Sequence, residues 1–385
     1  MPLAETNRVQ VRYAQESTWG ETPSTPATTE VRITSESLTH NKETIVSEEI
    51  RSDRQRIALL EVSVSAEGDF GYELAYSAFE TFFANGLRNS ISSATVSLAS
   101  CTVGASSITG PTGTDFVANF AAGQFVILKS SGNSSHNGVV AQIDSLTSTV
   151  LTTVGTTLTA SVLTSAAVTG RTLTNGTTKN SYFVEVDFDD ITAVKYFTGM
   201  RIGSFSLSAA AQQIVTGVFS WMGEQGFTAS TTVASSVVTS ANQTTAITGA
   251  ANVLNVFENS GDVGVAVQAF EVNVNNNMRA RPQIGQKGSA EHGDGGVDVT
   301  GNLNVYFENI SLYEKFINHT ESNLALKMKD ADGNYIIVSM PSVYYSSGAP
   351  AGTGQDQDVF LSMDYTAIKD STKGYTIRMD FLPAV

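Results

Sequence analysis

The stretch GDFGYELAYSAFETFF, Gly68–Phe83, starts with one period and finishes with another. Phe70, Tyr72 and Leu74 stand at every second position, as a strand with one buried face requires. Ser77 and Glu80 then have the spacing of a capping box, which predicts a short apolar helix. The same change of period returns in GNLNVYFENISLYEKF, Gly301–Phe316, where Leu303, Val305 and Phe307 alternate and Ser311 and Glu314 form the second box. The copies match with a one-residue slip. A duplicated strand–helix unit is the expectation.

Outward from these stretches the order of elements agrees as well. Each has an alternating segment and a long polar loop before it, NKETIVSEEIRSDRQR in one half and RARPQIGQKGSAEHGDGG in the other, and a group of strands after it. Loops of that length are uncommon without work to do. Between Ser90 and Thr174 only Asp115, Lys129, Asp144 and Arg171 carry charge, and runs such as QFVILK, GVVAQI and TVLTTV are divided by Gly and Asn turns. This reads as a small β-barrel or sandwich inserted into the first module. The predicted organisation is an extended N-terminal arm over 1–30, a discontinuous first module over 31–89 and 175–227, and the insert over 90–174. A Ser/Thr/Ala-rich linker over 228–251 and a second module over 252–385 follow. The insert is expected to be a separate domain whose removal leaves assembly intact.

Composition narrows the class. The chain has 385 residues, 41% hydrophobic and only 15% charged, and its Ser, Thr, Asn, Gly and Val suit strands and turns, so a mainly β protein is predicted. One cysteine, Cys101, allows no internal disulfide and suits a reducing compartment. MPLAETNRVQVRY lacks the apolar core of a signal peptide, and no apolar run approaches the ~18 residues of a membrane helix. Synthesis in the cytoplasm and no membrane insertion are therefore expected. A net charge of −15 argues against tight nucleic-acid binding, which depends on cations neutralising phosphates. It is compatible with a wall that repels DNA.

A search for catalytic chemistry finds little. His40, His136, His292 and His319 lie far apart, without metal-ligand spacing. No dinucleotide fingerprint, phosphate-binding loop or nucleophile elbow is present. DADGN, Asp330–Asn334, opens like a calcium loop but lacks the terminal glutamate, and Asp332-Gly333 reads as a hairpin turn. No enzyme activity, cofactor or metal is expected. In SYFVEVDFDD, Glu185, Asp187 and Asp189 alternate with apolar residues; like charges so close repel by a few tenths of a kcal/mol per pair. Water is expected to face them, either an ordinary solvated surface or the wall of a channel. AFEVNVNNNM repeats the pattern with Glu271, Asn273 and Asn275.

These stretches, with AQESTWGETPSTPATTEVRITSESLTHNKETIVSEEIRSDRQ, VNNNMRARPQIG and GVDVTGNLNVYFENISLYEKF, resemble the tail tube (major tail) proteins of long-tailed bacteriophages. The resemblance implies tail-tube-type β-sandwich modules, each with one flanking helix, in a structural virion protein that polymerises into stacked rings. DNA would pass through the hollow tube during ejection without specific binding. Most members have one module and six chains per ring; two modules imply a homotrimer with pseudo-sixfold symmetry, with a homohexamer as the alternative. Implied partners are further copies of the chain, tail tip and tail terminator proteins, and a tape measure protein in the lumen before ejection. Glu185, Asp187, Asp189 and Glu271 are then expected to face the lumen. Glu48, Glu49, Arg51, Asp53, Arg54, Arg279 and Arg281, on the two long loops, are expected at contacts between rings or subunits. A capsid decoration or adhesion protein, or a carbohydrate hydrolase using paired carboxylates, are the competing classes.

Overall fold

The structure, a computed structural model, describes residues 3–130, 133–235, 237–258, 261–351 and 354–385. Parts of the sequence-based domains therefore lie outside the described residues: 1–2 of the arm, 131–132 of the insert, 236 of the linker, and 259–260 and 352–353 of the second module. The chain is mainly β. In order come β1 (Val9–Gln15), β2 (Thr28–Val31), β3 (Ser35–Glu36), β4 (Thr39–Val46), β5 (Leu59–Glu73) and α1 (Glu80–Gly86). β6 (Ser92–Gly104), β7 (Ser107–Thr109), β8 (Phe125–Ser130), β9 (Val139–Leu146), β10 (Val150–Val154) and β11 (Ser161–Thr174) fill the near-uncharged region. β12 (Tyr182–Phe188), β13 (Ala193–Ala210), β14 (Thr216–Gly223), β15 (Gln225–Ala229) and β16 (Val238–Thr239) follow. The rest of the chain holds β17 (Val253–Glu258), β18 (Gly261–Asp262), β19 (Val267–Asn275), β20 (Arg279–Ala280), β21 (His292–Gly293), β22 (Asp298–Tyr306) and α2 (Ser311–Ile317). It closes with β23 (Ser322–Lys329), β24 (Tyr335–Tyr345), β25 (Ala349–Ala351), β26 (Phe360–Ala367) and β27 (Arg378–Leu382).

Strand pairing repeats along the chain. In the first half β1 pairs with β12, β12 with β13, β13 with β14, β14 with β5, β5 with β4, and β13 also with β15. In the second half β17 pairs with β23, β23 with β24, β24 with β26, β26 with β22, β22 with β19, and β24 also with β27. Every pair is antiparallel. β13 then pairs with β19, from Ser204 opposite Asn275 to Ala210 opposite Ala269. The result is one continuous sheet in the order β4, β5, β14, β13, β19, β22, β26, β24, with β25 also on the outer side of β26.

The alternation read from sequence sets which face of that sheet is buried. Phe70, Tyr72, Phe205, Phe219 and Trp221 pack with Phe82 and Phe83 of α1, and Phe270, Leu303, Met363 and Tyr365 continue the same core into the second half. Each such side chain contributes roughly 1.5–3 kcal/mol by leaving water. Two tyrosines cross a glycine on the neighbouring strand to reach the strand beyond: Tyr72 Oη donates to Ser206 O at 2.8 Å and Tyr365 Oη to Glu271 O at 2.7 Å. A Cβ on Gly217 would stand 2.4 Å from Tyr72 Oη, and one on Gly301 would stand 2.3 Å from Tyr365 Oη. Only glycine leaves room for the crossing.

Four sequence-based expectations change. The segment 1–30 is not a free arm, because β1 pairs along its full length with β12 and buries Val11. Neither capping box forms: Phe79 and Ile310 are the N-caps and make no side-chain cap bond. Ser77 is turned away by a left-handed backbone at φ 61°, and Glu80 pairs instead with Arg171. The linker is packed, with Ile247 fully buried and bonded through its backbone to Leu74 and Val215. The insert has its own core of Leu98, Val103, Phe116, Val126, Leu151 and Val168, but it does not stand apart. Phe125, Ile127 and Val140 share a second core with Ala325, Tyr335, Ile337 and Leu382, and β11 pairs with β27. Apolar residues left on the outer side of β8 need a cover, and β23, β24 and β27 supply it.

Candidate functional site

Across β5, β14, β13, β19, β22 and β26 the other face of the continuous sheet is mainly polar. Register places Asp69, Ser220, Ser204, Asn275 and Asp298 in one row across five strands. A second row runs Gly71, Val218, Ser206, Asn273, Thr300 and Thr366. The third is Glu73, Thr216, Ser208, Glu271, Asn302 and Asp364. Acids are separated by hydroxyls and amides, so no two carboxylates stand directly opposite, where like charges destabilise a sheet. Amides also bond the carboxylates: Asn302 Nδ2 donates to Asp364 Oδ1 at 2.8 Å, Asn273 Nδ2 to Glu271 Oε1 at 3.1 Å, and Asn277 Nδ2 to Asp298 Oδ2 at 2.7 Å. Hydrogen bonds from Ser347 and Asn302 hold Asp364 below the usual carboxylate range, so it is ionised at neutral pH. Among the described residues these rows contain no lysine or arginine. Physically this is a hydrated, negative, non-sticking surface.

Glu271, expected on such a face, lies in the middle of it. Glu185, Asp187 and Asp189 do not. β12 belongs to the layer behind, and Glu185 is fully buried there. It accepts from Thr232 Oγ1 at 2.6 Å, Val233 N at 2.7 Å and Ala234 N at 3.2 Å, and lies 3.4 Å from Arg12. Asp187 pairs with Arg12 at 3.1 Å and Asp189 with Arg8 at 2.6 Å. The repulsion read along β12 is relieved by Arg12 on the adjacent β1 and by Arg8 just before that strand. The acids on the polar face that alternation alone did not single out are Asp69, Glu73, Asp298 and Asp364. Their signal was present in GDFGYE, in GVDVTG and in FLSMDYT, as acids on one face of each strand beside Gly, Ser and Thr.

The two long loops behave differently. In the loop after β4, Glu48, Glu49 and Arg54 are exposed, and Arg51 pairs with Asp53 of the same loop at 3.1 Å. The loop between β19 and β22 folds back onto the first half of its own chain. Val64 N donates to Lys287 O at 3.1 Å and Lys287 meets Glu61 at 3.0 Å. Arg88, just beyond α1, meets Asp294 at 3.0 Å, and Arg201 of β13 meets Glu291 at 3.1 Å. Asn276 Nδ2 reaches Gly86 O at 2.8 Å. Arg279 and Arg281, expected to point at neighbours, are tied inside the loop to Asp294 O and Glu291. Burial works to raise the Asp294 carboxyl, yet Arg88 with Lys179 and Arg201 holds it below its ordinary value. Burial, with Arg201 beside it, pushes His292 down to about 4, so it is neutral at pH 7.

A β-rich chain with acidic rows along one long sheet face and charged hairpins matches the family described as phage tail tube protein over residues 6–367. The chain belongs to that family. No curated protein matches it at a significant level. As a phage tail tube protein it is a structural component of the virion tail that self-assembles into the tube, and the family is not a class of enzymes. Among the described residues no group of His, Cys, Asp and Glu could hold a metal. No described helix is long and apolar enough to cross a membrane.

Proposed function

We propose that this tail tube protein is a tandem duplication, that three copies close a pseudo-sixfold ring, and that stacked rings turn the polar sheet face toward a bore through which DNA passes. The observation carrying this reading is the single sheet running across both halves, with an apolar core on one side and, on the other, three rows from β5 to β26 that hold acids and, among the described residues, no Lys or Arg. Such a wall lets a polyanion slide, whereas a basic one would hold it through counterion release. The recurrence of the same antiparallel pairings in the same order supports duplication. Among the described residues β4 at one end, and the last residues of β24 with β25 at the other, have no strand on their outer side; a neighbouring copy would complete these edges as barrels do.

On this reading the lumen is lined by Glu271 with Asp69, Glu73, Asp298 and Asp364, and Glu185, Asp187 and Asp189 lie behind the wall. The modules follow the boundaries read from the sequence, with β1 added to the first, and the insert decorates the exterior while gripping the second module. Tail tip and terminator proteins would cap the tube, and a tape measure protein would occupy it before ejection. Assembly would take place in the host cytoplasm. Cryo-EM of purified tubes tests the stoichiometry: three chains per ring with near-sixfold features support it, and six chains overturn it. Lysine at Glu73, Glu271 and Asp364 together tests the lumen. Tubes should form and retain DNA at low salt; tubes that release DNA as wild type does would place these residues elsewhere.

A further inference from the structure

On the two-module reading, the end of α2 corresponds to the end of α1. α1 and α2 are each seven residues long. Each is followed at the same spacing by a non-glycine residue in the left-handed region, Arg88 at φ 56° and His319 at φ 49°. In the first half this end is covered. The loop after β19 lies on it, with Asp294 on Arg88, Glu291 on Arg201, and Asn276 on the carbonyl of Gly86. In the second half the same place is bare. His319 stacks on Tyr344 at 4.7 Å, and with Phe316, Ser346 and Ile368 they line an open cleft of about 560 Å³. Ile317, which stands where Gly86 stands, is 60% exposed.

The hairpin matching the covering loop is β4–β5. Asn275 lies opposite Asp298, three residues before Gly301, and Asn41 lies opposite Ser65, three residues before Gly68. The outer part of this hairpin is open as well: beyond Glu61 and Val64, where the 276–296 loop of its own chain touches it, Ile45, Ile50, Ile57, Leu59 and Leu60 are all exposed. Its chemistry fits the bare cleft as the other loop fits its own seat. Arginines receive acids in the first half, while in the second an aromatic and aliphatic cleft matches the exposed aliphatic side chains that flank the charged tip of the hairpin. The hairpin cannot reach its own chain's cleft, because β4 and β24 are the two ends of the sheet, roughly 30 Å apart at ~4.8 Å per strand.

We propose that the cleft of Phe316, His319, Tyr344 and Ile368 seats the β4–β5 hairpin of a second copy, side by side in the ring, in the geometry by which the 276–296 loop seats on its own chain. The hairpin's apolar residues then join two subunits laterally, and each ring is held by as many such seats as it has chains.

The internal contact supplies the test. Asn276 meets Gly86, so Lys42, which follows Asn41, should meet Ile317 of the next copy. Cys101 is buried, which leaves introduced thiols as the reactive ones. Lys42→Cys protein mixed with Ile317→Cys protein, assembled and mildly oxidised with a copper catalyst and air, should give a cross-linked dimer on a non-reducing gel. Each variant alone should give none, and the double variant should give a ladder ending at the ring number. Tubes seen by electron microscopy without cross-links would overturn the docking and leave the tube reading intact. Cross-links without tubes would keep the docking and overturn the tube, and neither would overturn both. A double variant that links only within its own chain also overturns the proposal. Ile317→Asp and Ile368→Asp, at exposed positions, should cut assembly at least tenfold with an unchanged monomer melting curve; full-length tubes from both would count against it.

Discussion

The two halves of the chain share strand order and pairing, yet they differ in what covers the end of the helix. At α1 the residues Gly86 and Arg88 are buried under a loop of the same chain; at α2 their counterparts Ile317 and His319 are open. The covered seat is ionic and the open one apolar. Where both partners belong to one chain, they are always present at high effective concentration, so buried charges are never left unpaired for long. Where one partner has to arrive from solution, an apolar surface is tolerated alone, while a buried unpaired charge would not be. The difference teaches that a repeated module can keep its backbone and exchange the chemistry of its contact according to when the contact forms.

The largest expected effect tests how far the second half depends on the insert. Replacing residues 90–174 by a short Gly/Ser loop uncovers Ala325, Tyr335, Ile337 and Leu382 and removes β11, one of the two partners of β27. At roughly 1.5–3 kcal/mol per large apolar side chain, a loss of at least ~5 kcal/mol is expected by denaturant unfolding. An unchanged midpoint would show that the shared core contributes nothing.

Next is the covered seat. Asp294→Ala leaves Arg88, whose side chain is 4% exposed, without its carboxylate, and a loss of about 3 kcal/mol is expected. His319→Ala at the matching open place should change monomer stability by less than ~0.5 kcal/mol. Equal losses in the two would break the comparison. The tyrosine crossings should instead treat the halves alike. Tyr72→Phe and Tyr365→Phe each remove one buried hydrogen bond to a carbonyl, worth about 1 kcal/mol, and a clear loss in only one half would mark the other half's crossing as dispensable.

The smallest effect is conditional on pH. Asp380, fully buried at the junction of β27 with the insert, is pushed up to about 6 by burial, which Arg378 only partly offsets. The folded state therefore holds this proton more tightly than the unfolded chain. Stability falls as pH rises from about 4 to about 6, and the penalty is complete above that. Asp380→Asn should remove it, so the variant gains up to ~3 kcal/mol on wild type between pH 4 and pH 8. A difference that does not change with pH would mean that Asp380 is already neutralised by its neighbours.

What the sequence by itself determined was local and periodic. Alternation in GDFGYEL and GNLNVYF dictated two half-buried strands and which of their faces is apolar, because side chains on a strand must point to opposite sides. The second occurrence of the pattern, the charge-poor insert and the polar hairpins were legible for the same reason, as was Glu271 on its polar face. Tertiary structure alone decided which strand lies beside which. Glu185, Asp187 and Asp189 look solvated when β12 is read by itself, and become paired only because Arg12 of β1 and Arg8 just before that strand lie alongside. Ser77 and Ser311 have capping spacing, but Phe79 and Leu312 pack on the core, Ser77 takes a left-handed backbone, and Ser311 becomes the first helical residue and donates to Asn309 instead of capping. Arg279 and Arg281 have the composition of a free loop, and the fold seats that loop on residues some two hundred positions earlier in the chain. Side-chain alternation is a property of one strand; the neighbour that neutralises, covers or pairs with it is chosen by contacts distant in sequence, and no local pattern encodes them.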